Sequence, residues 1–393
     1  MTLVYIIAGE QSGDVLGARL IRALREVDPT LEFAGIGGPR MEETGFSTLF
    51  PMHELAVMGL LEVLPRIRKL ARLMSNTVAD IRARTPDVVV TIDSPGFCLR
   101  VLKQIPTIRR VHYVAPQVWA WRPHRVREFP GLWDRLLCLL PFEPAWFAER
   151  GVEGRFVGHP VLESGADQGD AGRFRANHGI ADDAPVLILM PGSRRSEVPR
   201  LLPVFGETLR LLADRIPGLV PVVPVASAVA ATVRRATAAW PVQPVIVTDI
   251  ADKHDAYAAA SVALTKSGTS TLELALAGVP MAVTYRVNPL TAAMARRMIK
   301  IPFVAMVNLL AGRGLVPELL QQDCRADKLA ATVEQLLSDQ EAAHAQREGF
   351  RSVIESLRPS QGKPSAAAAA EVLAVLAHSR EGAASTQTFH KYP

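Results

Sequence analysis

Four short segments carry side chains whose types and spacing could do chemistry, and each follows an apolar run directly. The first is Gly9-Glu10-Gln11-Ser12-Gly13-Asp14. Glycine lets a backbone turn tightly and approach a ligand, and a helix that starts there favours an anion. The same residues would also make an ordinary turn with Asp14 as a cap. The second, Thr91-Ile92-Asp93-Ser94-Pro95-Gly96, puts an acid where a very apolar strand ends. An acid in that place points out of the core and can take a proton, or it can simply cap a helix. The third runs from Met190 to Glu197. Gly192 and Ser193 expose backbone N–H groups there, and Arg194 or Arg195 can grip a diphosphate through two parallel bonds. It lacks the GKS/T ending of a Walker A loop. The fourth, Lys266 to Glu273, is a turn of small residues (Ser267, Gly268, Thr269) with a carboxylate one helical turn later. A carboxylate that accepts ribose hydroxyls beside a phosphate-holding loop is a sugar-nucleotide arrangement. The plainer alternative is a capped helix in which Glu273 balances the dipole.

Other chemistries find no residues. There is no G-x-S-x-G elbow, no H-E-x-x-H and no Cys/His cluster, which removes hydrolase triads and zinc sites. Cys98, Cys138 and Cys324 lie far apart, as expected of a reduced, cytoplasmic protein. His112 falls inside a strand and reads as a core residue, whereas His159, in Gly158-His159-Pro160, sits at a domain boundary. Lys plus Arg exceed Asp plus Glu by 44 to 39. So small an excess does not define a nucleic-acid binder, but it suits an anionic ligand or lipid surface. No apolar run reaches the ~20 residues of a spanning helix, and the N-terminus lacks the features of a signal peptide.

The elements that must position these loops alternate from end to end, the pattern of parallel sheets covered by helices. Strands are expected at Leu3–Ala8, Glu32–Ile36 and residues 87–92, 110–114, 135–139 and 155–157. They are expected again at Val186–Met190 and residues 219–225, 245–248, 262–265 and 281–284. The turn-rich stretch 160–172 divides the two sets. The expected organisation is a Rossmann-like domain over 1–160, a second over 173–360, a C-terminal helix over 361–380 and a frayed tail over 381–393. Ligands of such sheets bind beyond the carboxyl ends of the strands, here in a cleft between the domains. Residues 58–74 and 294–304 add apolar residues at helical spacing beside basic ones. That is either a core-facing helix with a solvated face or a surface for lipid.

Several words of the sequence closely resemble the lipid-A-disaccharide synthase family. They are Ala8-Gly9-Glu10-Gln11-Ser12-Gly13-Asp14, Gly38-Pro39-Arg40-Met41, Glu54-Leu55-Ala56-Val57-Met58-Gly59, and Val114 through Trp119-Ala120-Trp121-Arg122. Leu140-Pro141-Phe142-Glu143, Pro191-Gly192-Ser193-Arg194, Ser267-Gly268-Thr269 with Glu273, and Asn308-Leu309-Leu310-Ala311-Gly312-Arg313 follow in family order. The resemblance implies the α/β architecture called GT-B, with the first domain on the acceptor and lipid side and the second binding the UDP-sugar. It also implies condensation of UDP-2,3-diacylglucosamine with 2,3-diacylglucosamine 1-phosphate, giving UDP and a β-1,6 disaccharide with inversion. It places Asp93 as the essential acid, Glu10 as a further catalytic position and next candidate for the base, and Arg194 on the diphosphate. Substrate or UDP binding falls to Gly9, Ser12, Met58, Ser193, Ser267, Gly268, Thr269, Glu273 and Asn308. No metal and no cofactor are implied. A lipid-linked donor, a lipid-phosphate acceptor, peripheral contact with the inner membrane from the cytoplasm and a homodimer are. Gly96 and Cys98 stand where family members often carry Asp and Asn. Two other readings remain open: a UDP-N-acetylglucosamine 2-epimerase-like enzyme on the same architecture, and a two-lobed solute-binding protein, which would require export.

Overall fold

The computed structural model describes residues 1–55, 67–192, 197–288 and 301–387, together with 292 and 298. It divides into two units, Met1–Pro160 with Leu357–Pro393 and Val161–Ser356. Four sets of expected residues lie outside the described ones: Met58 with residues 59–66 of the first basic stretch, Ser193 with Arg194 and Arg195, residues 294–297, 299 and 300 of the second basic stretch, and 388–393 of the tail.

In the first unit, β1 (Leu3–Ala8), β2 (Glu32–Ile36), β3 (Val88–Ile92), β4 (Arg110–Tyr113), β5 (Arg135–Cys138) and β6 (Gly154–Phe156) form one sheet. Its order is β2-β1-β3-β4-β5-β6, with every pairing parallel. The helices are α1 (Gln11–Val27), α2 (Pro39–Glu42), α3 (Ile67–Arg84), α4 (Pro95–Leu102), α5 (Val118–Trp121) and α6 (Glu143–Ala148). Both faces of the sheet are covered, which is why its strands are apolar without alternation. Val4, Ile6 and Ala8 pack with α1 on one side. Tyr5 and Ile7 pack with Val78, Ile81 and Leu99 on the other.

The second unit holds β7 (Val186–Met190), β8 (Val220–Pro224), β9 (Val245–Val247), β10 (Val262–Lys266), β11 (Met281–Tyr285) and β12 (Glu318–Leu320). Its order, β12-β11-β10-β7-β8-β9, is the doubly wound one. The helices are α7 (Ala171–His178), α8 (Val198–Ala213), α9 (Ser227–Thr237), α10 (Ile250–Ala259), α11 (Ser270–Leu276), α12 (Met306–Ala311), α13 (Ala326–Ser338) and α14 (Gln340–Ser356). The last helix, α15 (Pro364–Gln387), belongs to the first unit. Ala368, Ala369 and Val372 bury there in one cluster with Leu16, Leu20 and Leu24 of α1. Small alanines let the two helices approach closely. The returning chain is docked by the His159 N–H, which donates to the Leu357 carbonyl at 3.0 Å. A Cβ on Gly158 would meet Pro359 at 2.6 Å.

Three features differ from the sequence reading. The stretch 161–172 is held inside the second unit, where the Asp170 N–H donates to Asp255 at 2.7 Å and Arg173 grips the same carboxylate with two bonds of 2.6 Å. Strand β12 was not expected, and α15 continues past Glu381 to Gln387.

The word Gly38-Pro39-Arg40-Met41 is explained by Asp14. Its buried carboxylate accepts from the N–H groups of Gly38, Arg40 and Met41 at 2.9–3.0 Å, capping α2 from a neighbouring helix. A Cβ at Gly38 would lie 2.6 Å from Asp14 Oδ2. Asp14→Ala strands these donors, at a cost of ~2–4 kcal/mol. Thermal melting should therefore fall by roughly 4–16 °C; an unchanged Tm would mean that water replaces the cap.

Candidate active site

Each sheet has one point where chain order reverses, and ligands of open parallel sheets bind there. In the first it lies between β1 and β3, so the loops after Ala8 and Ile92 are neighbours. They touch: a Cβ added to Gly9 would sit 2.4 Å from Ser94 Oγ and 2.9 Å from Ser94 Cβ. Asp93 and Ser94 are successive non-glycine residues with positive φ, 51° and 45°. Such backbone costs ~1–3 kcal/mol per residue and persists only where the surroundings enforce it. Here the Asp93 N–H donates to Tyr113 O at 2.9 Å, and Ser94 O accepts from Phe97 and Cys98 at the start of α4. The turn presents the half-buried Asp93 side chain at the sheet edge. Burial raises its carboxyl above the ordinary value, opposed by a bond from the Ser94 N–H. Glu10 precedes α1 in the adjoining loop, and Ser12 is exposed on the first turn of that helix.

Two further loops share this edge. Val114, just after β4, has φ 76°, an outlier for a β-branched residue. The Trp119-Ala120-Trp121-Arg122 word follows, with Trp119 buried, Trp121 exposed and the Arg122 guanidinium 4.4 Å from the Trp121 ring centre. The loop after β5 holds this word in place. Glu143 is buried and accepts from Trp119 Nε1, Leu139 N and Leu140 N, each at 3.0 Å. Burial pushes the Glu143 carboxyl up to about 7 against the pull of those three donors. Trp119 and Glu143, which belong to two separate words of the sequence, are therefore one structural unit. Their spacing in the chain offers no hint of it.

In the second unit the reversal lies between β7 and β10. Gly192, after β7, has φ 104°, and a Cβ there would meet Glu197 Oε2 at 2.7 Å. Glu197 pairs with Lys266 at 3.1 Å, at the end of β10. Gly268 and Thr269 are exposed just beyond, and the Ser267 hydroxyl donates to Val304 O at 2.8 Å. Glu273 belongs to the same edge. Its Oε2 accepts from Lys253 Nζ at 3.0 Å and from the Tyr257 hydroxyl at 3.1 Å. That hydroxyl also lies 3.6 Å from Met190 Sδ, the last residue of β7.

Asn308, expected at the site from the resemblance, has protein partners for its amide. It is buried, and its amide donates to Val316 O and Glu318 Oε1 at 2.9 Å while accepting from Val316 N at 2.8 Å. With Glu318, which accepts from Val304 N and Ala305 N, it builds the entry to α12. His112 is a core residue as read, bonded to Thr91 Oγ1 at 2.7 Å and stacked on Trp133. His159 is also buried, and desolvation pulls it down to about 4. Among the described residues, no three His, Cys, Asp or Glu side chains are grouped to hold a metal ion.

The family model for LpxB, lipid-A-disaccharide synthetase, matches residues 4–372. The lipid-A-disaccharide synthase of Granulibacter bethesdensis is 65% identical over 387 residues, covering 95% of this chain and 98% of that one. That of Gluconobacter oxydans is 64% identical over 376 residues, covering 95% and 91%. Among solved structures, a complex of S. aureus MnaA with UDP aligns with a TM-score of 0.63 at 13% identity, covering 93% of this chain and 94% of that one. A UDP-GlcNAc 2-epimerase from Neisseria meningitidis aligns at 0.61 and 12%, covering 91% and 99%. At such identities these likenesses show the fold alone: two Rossmann-like domains of GT-B type. The chain belongs to the lipid-A-disaccharide synthase family.

Proposed function

We propose that the chain is an inverting glycosyltransferase that condenses UDP-2,3-diacylglucosamine with 2,3-diacylglucosamine 1-phosphate, giving the β-1,6-linked disaccharide 1-phosphate and UDP. The observation that carries this reading is identity of 65% along 98% of a synthase's length. The residues divide the work. Asp93 takes the proton of the acceptor's 6-hydroxyl as that oxygen bonds to the donor's anomeric carbon. The bond from that carbon to the diphosphate breaks on the opposite face, which inverts the centre. A positioned base of this kind is worth ~10²–10⁴-fold. Arg194 and the backbone N–H groups after β7 meet the charge that grows on departing UDP, a role for pre-set donors. Glu273 holds the ribose. The test is UDP release with each substrate alone and with both. Release that needs both supports transfer; a 2-epimer formed from donor alone would favour an epimerase.

Both substrates carry acyl chains, so the enzyme meets them at a bilayer. Among the described residues no helix is long and apolar enough to cross one. On α3, Ile67, Arg68, Lys69 and Arg72 are exposed while Leu73 is buried. These basic residues, with Arg66, form the proposed contact with anionic lipid, each worth ~1 kcal/mol near such a surface. Lys69 also pairs with Glu54 at 3.4 Å, an exposed contact that a membrane can replace. Changing Arg66, Arg68, Lys69 and Arg72 to Gln should cut co-sedimentation with anionic vesicles, and salt should do the same to the wild type. Activity on detergent-dispersed substrate should persist. Equal sedimentation of both proteins would move the contact elsewhere.

A further inference from the structure

The geometry points to Lys253 and Tyr257 as a positioning pair that fixes the Glu273 carboxylate for the ribose, so that nucleotide affinity depends on two residues of a neighbouring helix. The inference rests on the ribose reading of Glu273 above. Lys253 and Tyr257 are four residues apart on α10 and share one face. Both bonds converge on the same oxygen, Oε2, at 3.0 and 3.1 Å. A carboxylate gripped through one oxygen cannot swing about its last torsion, which is otherwise soft. Oε1 is then held at a set angle to receive a hydroxyl.

The grip is referenced to the sheet. Tyr257 is 1% exposed, and its hydroxyl lies 3.6 Å from Met190 Sδ at the end of the central strand. Lys253 Nζ lies 5.6 Å from the Tyr257 ring centre, which steadies the cation as well. The Lys253 and Glu273 side chains are each about a quarter exposed, 23% and 25%. The pair is neutral and oriented without being sealed from a ligand. Pre-setting a binding group removes an ordering cost that the ligand would otherwise bear.

The test compares UDP with 2′,3′-dideoxyuridine diphosphate by calorimetry on the full chain. Lys253→Met should weaken UDP about tenfold, the loss typical of a charge-assisted bond, and change the dideoxy nucleotide by less than about twofold. Donor KM should rise by the same factor with kcat within about twofold, as for binding shared by ground and transition states. Tyr257→Phe should weaken UDP about threefold, and Lys253→Arg should recover most of the loss. Equal losses for the two nucleotides, or undiminished UDP affinity in both variants, would overturn the pair's role. Glu273→Ala, which removes the acceptor, separates the two levels. If it keeps wild-type discrimination between the nucleotides, the ribose reading falls and the inference with it. If it loses discrimination while Lys253→Met and Tyr257→Phe retain it, only the positioning role falls.

Discussion

Asp93→Asn is expected to lower turnover by at least ~10²-fold while UDP affinity stays within about twofold, because nucleotide binding is assigned to the second domain. The side chain sits on a turn that the fold must enforce, with positive φ at Asp93 and at Ser94. Burial holds its carboxyl above the ordinary range, and a base works only when ionised. The acid limb of kcat/KM should therefore lie above the usual carboxylate value, with activity falling as pH drops through it, and Asn should abolish that limb. The sign for stability is opposite. A raised pKa means that the folded state binds the proton more tightly, so ionisation weakens the fold as pH rises. Asp93→Asn should then melt no lower than wild type at neutral pH. Near-normal turnover in this variant would shift the base to Glu10.

Gly9→Ala should be nearly as damaging, with turnover down by about 10²-fold, the scale of an ~1 Å displacement of a reacting group. Its new methyl would lie 2.4 Å from Ser94 Oγ and 2.9 Å from Ser94 Cβ, so the turn carrying Asp93 must shift. Gly9→Ala with Ser94→Gly removes both contacts and suits the positive φ, and it should recover a large part of the activity. Failure of that rescue, with both proteins folded, would place the importance of Gly9 in direct contact with substrate.

The central strands were legible because they are continuous runs such as Val88–Ile92, buried on both faces. Strand β12 was not, since Glu318, Leu319 and Leu320 are half-buried at an edge and too few to make a pattern. The return of α15 to the first unit was also hidden, because an alanine-rich helix packs equally well on many partners. At the site, position told most. Asp93 and Gly192 could be picked out because each follows an apolar strand. Asn308 was reached through the resemblance alone; that its amide would bind Val316 and Glu318 was not legible, because those partners lie eight and ten residues on, across a turn. Lys253 and Tyr257 gave no signal, since their partner Glu273 lies on the next helix but one strand away.

Inverting transfer is read most directly from the product made with donor labelled at its anomeric carbon. One disaccharide 1-phosphate should form per UDP released, with the labelled carbon β-linked to the acceptor's 6-oxygen, as NMR coupling at that carbon would report. An α-linked product would contradict direct displacement with Asp93 as base. Loss of UDP without any labelled glycosidic bond would contradict transfer altogether.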